Sequence, residues 1–347
     1  MTTAKPIIFD GHNDVLSKIF NEGGVAKAAS FLDGREGAID LKKAEVGGFG
    51  GGFFAVYVPS QFDLESSYQE MEKASYSLPL PEPIEWSKAV GVVASQVTIL
   101  RELESLGGLT ICHSVSDIRS AFKDGKIAAI FHIEGAEAID PDLHMLEVLH
   151  SAGLRSIGPV WSRPTIFGEG VPFSFPSTPD TGSGLTEPGI ALVKRCNKLK
   201  IMIDLSHLNE AGFWDVARHS SAPLVATHSN AHSITQHSRN LTDEQLRAIA
   251  DSDGMVGLNF ATAFLRKDGK MLADVPLSQI LKHLDYLLEI LGEDRVGLGS
   301  DYDGAVMPEE LMDLSDLPNL RQAMKEHGYD EILIKKLCHE NWLRVLE

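Results

Sequence analysis

The sequence predicts an α/β fold, a closed (β/α)8 TIM-like barrel that forms a single domain over residues 1–347. Three observations lead to this prediction. Short apolar runs recur eight times along the chain, helical patterns fill the gaps between them, and chemically reactive side chains follow several of the runs. Strands that alternate with helices indicate βαβ units. Eight such units favour a closed barrel over the alternative, an open doubly wound sheet with extra strands.

The predicted strands are nearly continuous in apolar and β-branched residues and show little alternation. This pattern is typical of strands in a parallel sheet that is covered on both faces. In chain order, strands 1 to 8 are predicted at residues 6–10, 53–58, 127–133, 155–161, 200–205, 223–227, 254–260 and 295–300.

The clearest helical pattern covers residues 277–291, where leucines and isoleucines recur on one face and Gly292 supplies a C-terminal stop. A second helix is predicted to begin at Thr242, because Gln245 follows three residues later, as in a capping box. Further helices are predicted at residues 142–152, 186–199 and 209–219.

The composition excludes some classes of function. Apolar residues make up 43% of the chain, enough for a large core, and no Pro/Ser-rich linker or block of charge divides it. The formal net charge of −18 argues against a nucleic acid or an anionic membrane surface as a partner. A protein that acts on small molecules fits these values.

The cysteines and the N-terminal residues bear on the compartment. No CxxC pair occurs, so neither a zinc knuckle nor a disulfide framework is indicated. The N-terminal residues lack the long apolar segment of a signal peptide, and no stretch approaches the ~18 apolar residues of a membrane-spanning helix. We therefore expect a cytoplasmic protein. The three separated cysteines are Cys112, Cys196 and Cys338.

Candidate metal ligands and a candidate acid–base group lie at the carboxyl ends of five predicted strands. In a barrel these ends converge on one mouth, where the active sites of this fold lie. His12 and Asp14 follow strand 1 and share one face, since residues i and i+2 of a strand point the same way. Mixed nitrogen and oxygen ligands suit Zn²⁺ or a similar divalent ion, and a glutamate can bridge two ions. The other candidates are Glu134 after strand 3, His207 after strand 5, His228 after strand 6 and Asp301 after strand 8. His132 is expected to point away from Glu134 and is assigned no ligand role.

Seven segments resemble the membrane (renal) dipeptidase family, binuclear zinc hydrolases within the amidohydrolase superfamily of (β/α)8 barrels. The segments occur in the family's order and span nearly the whole chain. They are "DGHNDVL", "IEGAEAID", "IDLSHLNE", "THSNAHSI", "SRNLTDEQLRAI", "MVGLNF" and "GLGSDYDGA".

The resemblance implies two Zn²⁺ ions, or other divalent metal ions, as cofactors. His12, Asp14 and Glu134 would bind one ion. Glu134, His207 and His228 would bind the other, so that Glu134 bridges the pair. A hydroxide held between the ions would be the nucleophile.

The resemblance also implies roles for Asp301 and Arg239. Asp301 would accept the proton of the nucleophile and pass it to the leaving amine. Arg239, in "SRNL", would hold the C-terminal carboxylate of the substrate, a task that suits the two-pronged guanidinium group. From the residues alone, a surface ion pair is the alternative for Arg239.

One segment departs from the family pattern. The family's strand-4 segment ends with a histidine that polarises the scissile carbonyl, and here "LRSIGPVWSRP" places Trp161 at that position. Indole has one N–H donor and carries no positive charge. The loss of one transition-state donor would cost about 3–4 kcal/mol if nothing replaced it. Arg163, two residues on, is a candidate substitute at the substrate, and a solvent-facing loop residue is the alternative.

Two further features are predicted to reach the barrel mouth. Asn259, after strand 7, points toward it and would either contact the substrate or serve the structure. The long loop at residues 162–189 is rich in Pro, Gly, Ser and Thr and is expected to shape the pocket and set substrate choice.

The leading prediction is a zinc dipeptidase that cleaves small dipeptides with a free C-terminal carboxylate, and the resemblance implies tolerance of a D-residue at that end. A second hypothesis keeps the metals but changes the substrate to an N-acyl amino acid, a lactam or a lactone. A third is a non-catalytic metal-binding barrel. Members of the family often form dimers, although no interface can be identified in this sequence.

Overall fold

Eight parallel strands form a nearly closed barrel in the computed structural model, which describes residues 7–60 and 64–347. The strands are β1 (Ile8–Asn13), β2 (Phe49–Tyr57), β3 (Ala128–Glu134), β4 (Leu154–Gly158), β5 (Met202–Ile203), β6 (Val225–Ala226), β7 (Met255–Asn259) and β8 (Val296–Gly299). Each matches one predicted strand, and they are ordered β5-β4-β3-β2-β1-β8-β7-β6. A ninth strand of the same sheet, Thr110–Ile111, lies off this path and pairs in parallel with the start of β3.

The contact between β5 and β6 closes the ring. The N–H of Leu205 donates to the carbonyl of Val225 at 2.8 Å, and Asp204 forms an isolated parallel bridge to the same residue. The predicted barrel is therefore confirmed over the open sheet.

Helices occupy the connections between the barrel strands. Residues 277–291 form a helix with the predicted bounds, and the capping box at Thr242 is present, since its side chain and that of Gln245 each accept from the other's backbone N–H. The α-helices are α1 (Val15–Gly23), α2 (Ser30–Asp33), α3 (Leu41–Gly47), α4 (Leu64–Met71), α5 (Trp86–Ser105), α6 (Val115–Lys123), α7 (His144–Ser151), α8 (Glu187–Leu199), α9 (Glu210–His219), α10 (Asp243–Asp251), α11 (Thr262–Leu265), α12 (Leu277–Leu291), α13 (Leu317–His327), α14 (Glu331–Lys335) and α15 (Asn341–Leu346). Short 3₁₀ segments lie at Gly24–Lys27, Glu309–Leu311 and Leu314–Asp316, and a π-helical turn lies at Lys336–Glu340.

The barrel mouth is covered by a small second layer. Tyr76–Ser77 pairs antiparallel with Ser174–Phe175, which lies in the predicted pocket-shaping loop. Helix α4 packs beside this pair, and the N–H of Met271 donates to the carbonyl of Met71 at 3.0 Å. Within the described residues, no helix combines the length and apolar character needed to cross a lipid bilayer.

The floor of the barrel is filled by a tryptophan from α15. The indole of Trp342 is fully buried, donates to the carbonyl of Leu298 at 3.0 Å and lies 5.2 Å from the Phe53 ring. A methyl group added at Gly11 or Gly257 would come within 2.8 Å of the indole, so these strands need glycine here. The tryptophan thus completes the lower half of the barrel core.

Replacing Trp342 with alanine should lower the free energy of unfolding by about 3–5 kcal/mol, because it leaves a large cavity between strands that cannot move together. Urea denaturation followed by circular dichroism measures this. Trp86→Ala is the control, since this side chain is 46% exposed and should cost far less. Equal losses in the two variants would contradict this view of the barrel floor.

Candidate active site

Three imidazoles converge on one carboxylate oxygen at the barrel mouth. Glu134 Oε1 lies 3.0 Å from His207 Nε2, 3.4 Å from His228 Nε2 and 3.6 Å from His12 Nε2. Asp14 Oδ2 lies 3.4 Å from the same His12 nitrogen. The five predicted metal ligands are therefore brought together, and we call them the Glu134 cluster.

The turns that follow the strands place these side chains. The N–H of Asp301 donates to the carbonyl of His12 at 3.0 Å, which ties the end of β8 to the end of β1. Asp301 and His207 have φ angles of 64° and 68°. This left-handed conformation costs about 1–3 kcal/mol in residues other than glycine and is concentrated at functional sites.

Hydroxyl groups orient two of the imidazoles. Ser162 Oγ lies 2.8 Å from His207 Nδ1, and Thr227 Oγ1 lies 2.8 Å from His228 Nδ1. Thr227 Oγ1 also donates to Asp204 Oδ2 at 2.6 Å. Such contacts fix the ring and leave Nε2 facing the centre, as metal-binding histidines require. The two Nε2 atoms are 3.1 Å apart.

The charges in the Glu134 cluster fit divalent cations. Burial lowers the pKa of His207 and His228 well below the ordinary value, so both rings are neutral, as metal ligands must be. Burial alone would also lower the pKa of His12, but the carboxylates of Glu134, Asp14 and Asp301 outweigh it and raise the pKa to about 10. Within the described residues neither ring nitrogen of His12 has a hydrogen-bond partner. The carboxylates around His12 thus favour a positive charge at this position, which a divalent cation beside its Nε2 would supply.

Asp301 lies beside the cluster and is held by Asn259. The amide Nδ2 of Asn259 donates to Asp301 Oδ2 at 2.9 Å, and Asn259 Oδ1 accepts from the N–H of Ala261 at 2.6 Å. Burial, with a contribution from the charge of Asp14, raises the pKa of Asp301. The geometry gives Asn259 a positioning contact with Asp301, whereas direct contact with a substrate stays a prediction.

A cavity of about 140 Å³ opens above the cluster. Its lining combines carboxylates with a larger number of aromatic, aliphatic and sulfur-containing side chains. The carboxylates are those of Asp14, Glu134, Asp301 and Asp303, and the mainly apolar residues include Tyr57, Tyr68, Met71, Leu78, Trp161, Phe173, Phe264 and Met271. Phe173 comes from the loop that was expected to shape the pocket.

Trp161 lies in the cavity wall, with its ring centre 5.7 Å from the His207 ring and 5.6 Å from the Phe173 ring. It therefore lies beside the Glu134 cluster, whereas its replacement of the family's histidine stays a prediction. A substrate in the cavity would meet the indole.

Arg163 is buried behind that wall. Its Nε and Nη2 donate to Glu137 Oε1 at 3.0 and 2.7 Å, Nη2 also donates to the carbonyl of Val58 at 2.9 Å, and Nη1 donates to Ser60 Oγ at 2.6 Å. The side chain is fully buried, so the alternative of a solvent-facing loop residue is wrong. Direct contact of Arg163 with a substrate stays a prediction, and this geometry does not favour it.

Arg239 is buried beneath the cavity. Its Nη2 donates to the carbonyl of His228 at 3.2 Å, and its guanidinium carbon lies 5.3 Å from the centre of the Phe264 ring. Burial lowers the pKa of Arg239 to about 10, with Asp301 and Glu134 opposing, so the group stays positive at neutral pH. Its Nε has no hydrogen-bond partner among the described residues. The alternative of a surface ion pair is wrong, because the residue is 3% exposed.

The prediction that His132 points away from Glu134 is wrong. It lies two residues before Glu134 and so shares its face, and its ring centre is 5.5 Å from that of His12. Its Nδ1 is 2.9 Å from Ser156 Oγ, and burial lowers its pKa to about 3. Sequence reasoning also missed Asp204, whose carboxylate Oδ2 lies 3.7 Å from His132 Nε2. Counting the strand period back from Glu134 would have identified His132 as a neighbour of the site, whereas Asp204 lies just beyond the strand Met202–Ile203 and shows no such signal.

Comparison with known proteins agrees with this geometry. Residues 2–347 match the membrane dipeptidase family, peptidase family M19. A metallopeptidase from Rhodobacter sphaeroides, crystallised with a phosphinate mimic of the dipeptide L-Ala-D-Ala, is 51% identical with a TM-score of 0.96, and 99% of each chain is covered. The crystal structure of the dipeptidase AC, also of family M19, is 52% identical with the same TM-score and coverage.

A relative of unassigned activity is also similar. The uncharacterized protein in the pqqA 5' region of Klebsiella pneumoniae is 50% identical over 260 residues, which cover 74% of this chain and 96% of that protein. The match over nearly the whole sequence and the two closely superimposing metallopeptidases identify the family. The chain belongs to the membrane dipeptidase family, peptidase family M19, and is a metal-dependent hydrolase.

Proposed function

We propose that this protein is a zinc-dependent dipeptidase that hydrolyses small dipeptides with a free C-terminal carboxylate and accepts a D-residue at that end. The observation that carries the proposal is the convergence of three imidazole nitrogens on Glu134 Oε1 within 3.6 Å, in a chain of family M19. The dipeptide mimic bound by the Rhodobacter sphaeroides relative supports both the substrate class and the D-residue.

The Glu134 cluster provides ligands for two divalent ions. His12, Asp14 and Glu134 would hold one, and Glu134, His207 and His228 the other. Zinc suits this mixture of imidazole and carboxylate ligands. When bound, such ions supply a water molecule of lowered pKa and an electrophile for the scissile carbonyl.

Asp301 would transfer the proton during hydrolysis, and Arg239 would bind the negatively charged end of the substrate. Asp301, held by Asn259, accepts a proton from the attacking water and returns it to the leaving amine. Its raised pKa favours this exchange, because a carboxyl group titrating closer to neutrality both accepts and releases a proton readily. Arg239 would bind the substrate carboxylate through its unpartnered Nε–H.

A panel of L,L- and L,D-dipeptides, assayed with the metal-free and the zinc-loaded protein, tests the proposal. We expect hydrolysis only with metal, and a higher kcat/KM for dipeptides that carry a free C-terminal carboxylate than for their amides. Metal-loaded protein that leaves the whole panel intact would refute the dipeptidase assignment.

Arg239→Met should raise KM for free-carboxylate dipeptides about 10–100-fold, since it removes a charge-assisted contact worth about 1.5–3 kcal/mol. Dipeptide amides, which lack that carboxylate, should be hydrolysed equally by the variant and the wild type. Steady-state kinetics on matched acid and amide substrates measure the difference. Arg218→Met is the control, because this guanidinium pairs with Asp215 at the surface. An equal rise in KM for both substrate types would count against a carboxylate-binding role.

One observation favours a second candidate, the hydrolysis of another small amide or ester. Trp161 lines the cavity, and the resemblance to the family predicts that it replaces the family's polarising histidine. An N-acyl amino acid, a lactam and a lactone should therefore be included in the panel. Turnover of one of these at a higher kcat/KM than any dipeptide would favour this candidate.

The homodimer stays a prediction, which size-exclusion chromatography with light scattering tests.

A further inference from the structure

The proposed hydrolysis needs a hydrogen-bond donor on the oxygen of the scissile carbonyl, where negative charge develops. Trp161 stands where the family pattern has a histidine, and its uncharged indole is a weaker donor than an imidazolium, so a further donor in the cavity wall would strengthen catalysis. Two phenol groups line the cavity, those of Tyr57 and Tyr68. The hydroxyl of Tyr68 donates its proton to the carbonyl of Gly304 at 3.1 Å, which leaves Tyr57 as the candidate.

Tyr57 is rigidly placed beside the Glu134 cluster. It is the last residue of β2 and is paired in register with Glu134 at the end of β3. Its N–H donates to Gln96 Oε1 at 3.0 Å, and Gln96 Nε2 donates to its carbonyl at 2.6 Å. Its ring centre lies 5.1 Å from that of Trp161. A side chain held this firmly loses little conformational entropy when it meets a substrate.

Behind Tyr57 a chain of hydrogen bonds begins at a buried ion pair. Arg163 is bound to Glu137, and its Nη1 donates to Ser60 Oγ. The guanidinium carbon of Arg163 also lies 5.8 Å from the centre of the Tyr57 ring, and hydrogen bonding by the Ser60 side chain lowers the pKa of the Tyr57 hydroxyl, which burial raises. A guanidinium group donates only, so the Ser60 oxygen accepts from Arg163 and its own proton is available for Tyr57. The phenol oxygen then accepts from Ser60, and its proton is free to face the cavity.

The charges around Tyr57 support a donating role. Burial raises the pKa of the phenol above its ordinary value, with the carboxylates of Glu134 and Glu137 adding to the effect and Arg163 opposing it. The phenol therefore keeps its proton throughout the working pH range. Chains of hydrogen bonds polarise one another in a low-dielectric interior, so the cation at one end strengthens the donor at the other.

We infer that Tyr57 is a catalytic residue that donates a hydrogen bond to the scissile carbonyl oxygen, in the place of the family's histidine. Arg163 and Ser60 act through it as positioning residues. This inference rests on the proposed dipeptidase function. It also gives the buried Arg163 a role that needs no contact with the substrate, since its guanidinium would orient the donor from behind the wall.

The test compares wild type and Tyr57→Phe as metal-loaded proteins, with the dipeptide that the wild type hydrolyses best. We expect kcat to fall about 10²–10³-fold with KM nearly unchanged, because the contact strengthens only in the transition state. A phosphinate dipeptide mimic carries its oxygens on a tetrahedral phosphorus and so resembles the tetrahedral transition state. Its affinity for the variant should be about 10²-fold lower than for the wild type. Metal content and thermal stability should stay at wild-type values. Tyr286→Phe, which removes a hydroxyl bonded to Asp243 at the surface, should behave as wild type.

The outcomes separate this inference from the proposed function. A wild type that hydrolyses no dipeptide would overturn both. An active wild type with full kcat and full phosphinate affinity in Tyr57→Phe would overturn the inference alone.

The positioning role of Ser60 is tested by a double-mutant cycle. Ser60→Ala should lower kcat about tenfold in the wild-type background, because the phenol loses its polarising partner. In the Tyr57→Phe background it should change kcat by less than about twofold, since no hydroxyl remains to be oriented. A merely structural serine would give the same loss in both backgrounds, and that result would overturn its role.

Discussion

Stripping the protein of metal with a chelator is expected to reduce dipeptide hydrolysis to background, and added Zn²⁺ should restore it. Without cations, the Glu134 cluster holds only carboxylates and imidazoles, and no group in it can lower the pKa of the attacking water. Enzyme assays before and after dialysis against a chelator, with metal analysis by mass spectrometry, measure the effect. Activity that survives complete demetallation would exclude the proposed mechanism.

Glu134→Gln sharpens this test within the same cluster. An amide offers one neutral oxygen in place of a charged carboxylate that faces three imidazoles, so the variant should bind fewer than two ions per chain. Its kcat should fall by a factor of 10³ or more, as an order-of-magnitude expectation for a lost bridging ligand. Glu293→Gln, a surface carboxylate paired with Lys336, should keep both the metal content and the activity.

Asp301→Asn is expected to lower kcat by about 10²–10⁴-fold while leaving metal content nearly unchanged. Asparagine has the same shape and tolerates the left-handed conformation at φ 64°, so the backbone should not move. What is lost is the group that carries the proton from the attacking water to the leaving amine. Stopped-flow or steady-state assays over a range of pH measure the loss.

The contact between Asn259 and Asp301 provides a second test of the proton transfer. Asn259→Ala removes the amide that holds Asp301 Oδ2, so it should lower kcat less than Asp301→Asn does and shift the pH profile. The profile should shift to higher pH, because the lost hydrogen bond stabilised the charged carboxylate and its removal raises the pKa further. An Asp301→Asn variant with near wild-type kcat would assign the proton transfer to another group.

The barrel and its metal ligands could be predicted because they follow from local periodicity. Continuous apolar runs identified all eight strands, and the phase of His12, Glu134 and His228 at the strand ends brought them to one mouth. The strands Tyr76–Ser77 and Ser174–Phe175 were missed, because they do not lie in continuous apolar runs, as the equally short strands β5 and β6 do.

The environment of the cavity wall could not be predicted in the same way. Arg163 lies in a loop rich in proline and glycine, and nothing near it in sequence indicates that it pairs with Glu137 and faces Ser60. Contacts between residues distant in sequence arise from the tertiary fold, and a charged residue in a loop is ordinarily exposed. The predicted orientation of His132 was wrong for a simpler reason. His132 and Glu134 are two residues apart on one strand, and this spacing places both side chains on the same face.

The tryptophan that fills the barrel floor has a consequence for synthesis in the cell. Trp342 packs against Gly11 of the first strand, so the earliest and one of the latest parts of the chain must meet before the interior is sealed. We therefore expect the lower half of the barrel core to stay incomplete in a nascent chain until α15 has emerged from the ribosome. Proteins released before that point should be preferred targets of chaperones and proteases.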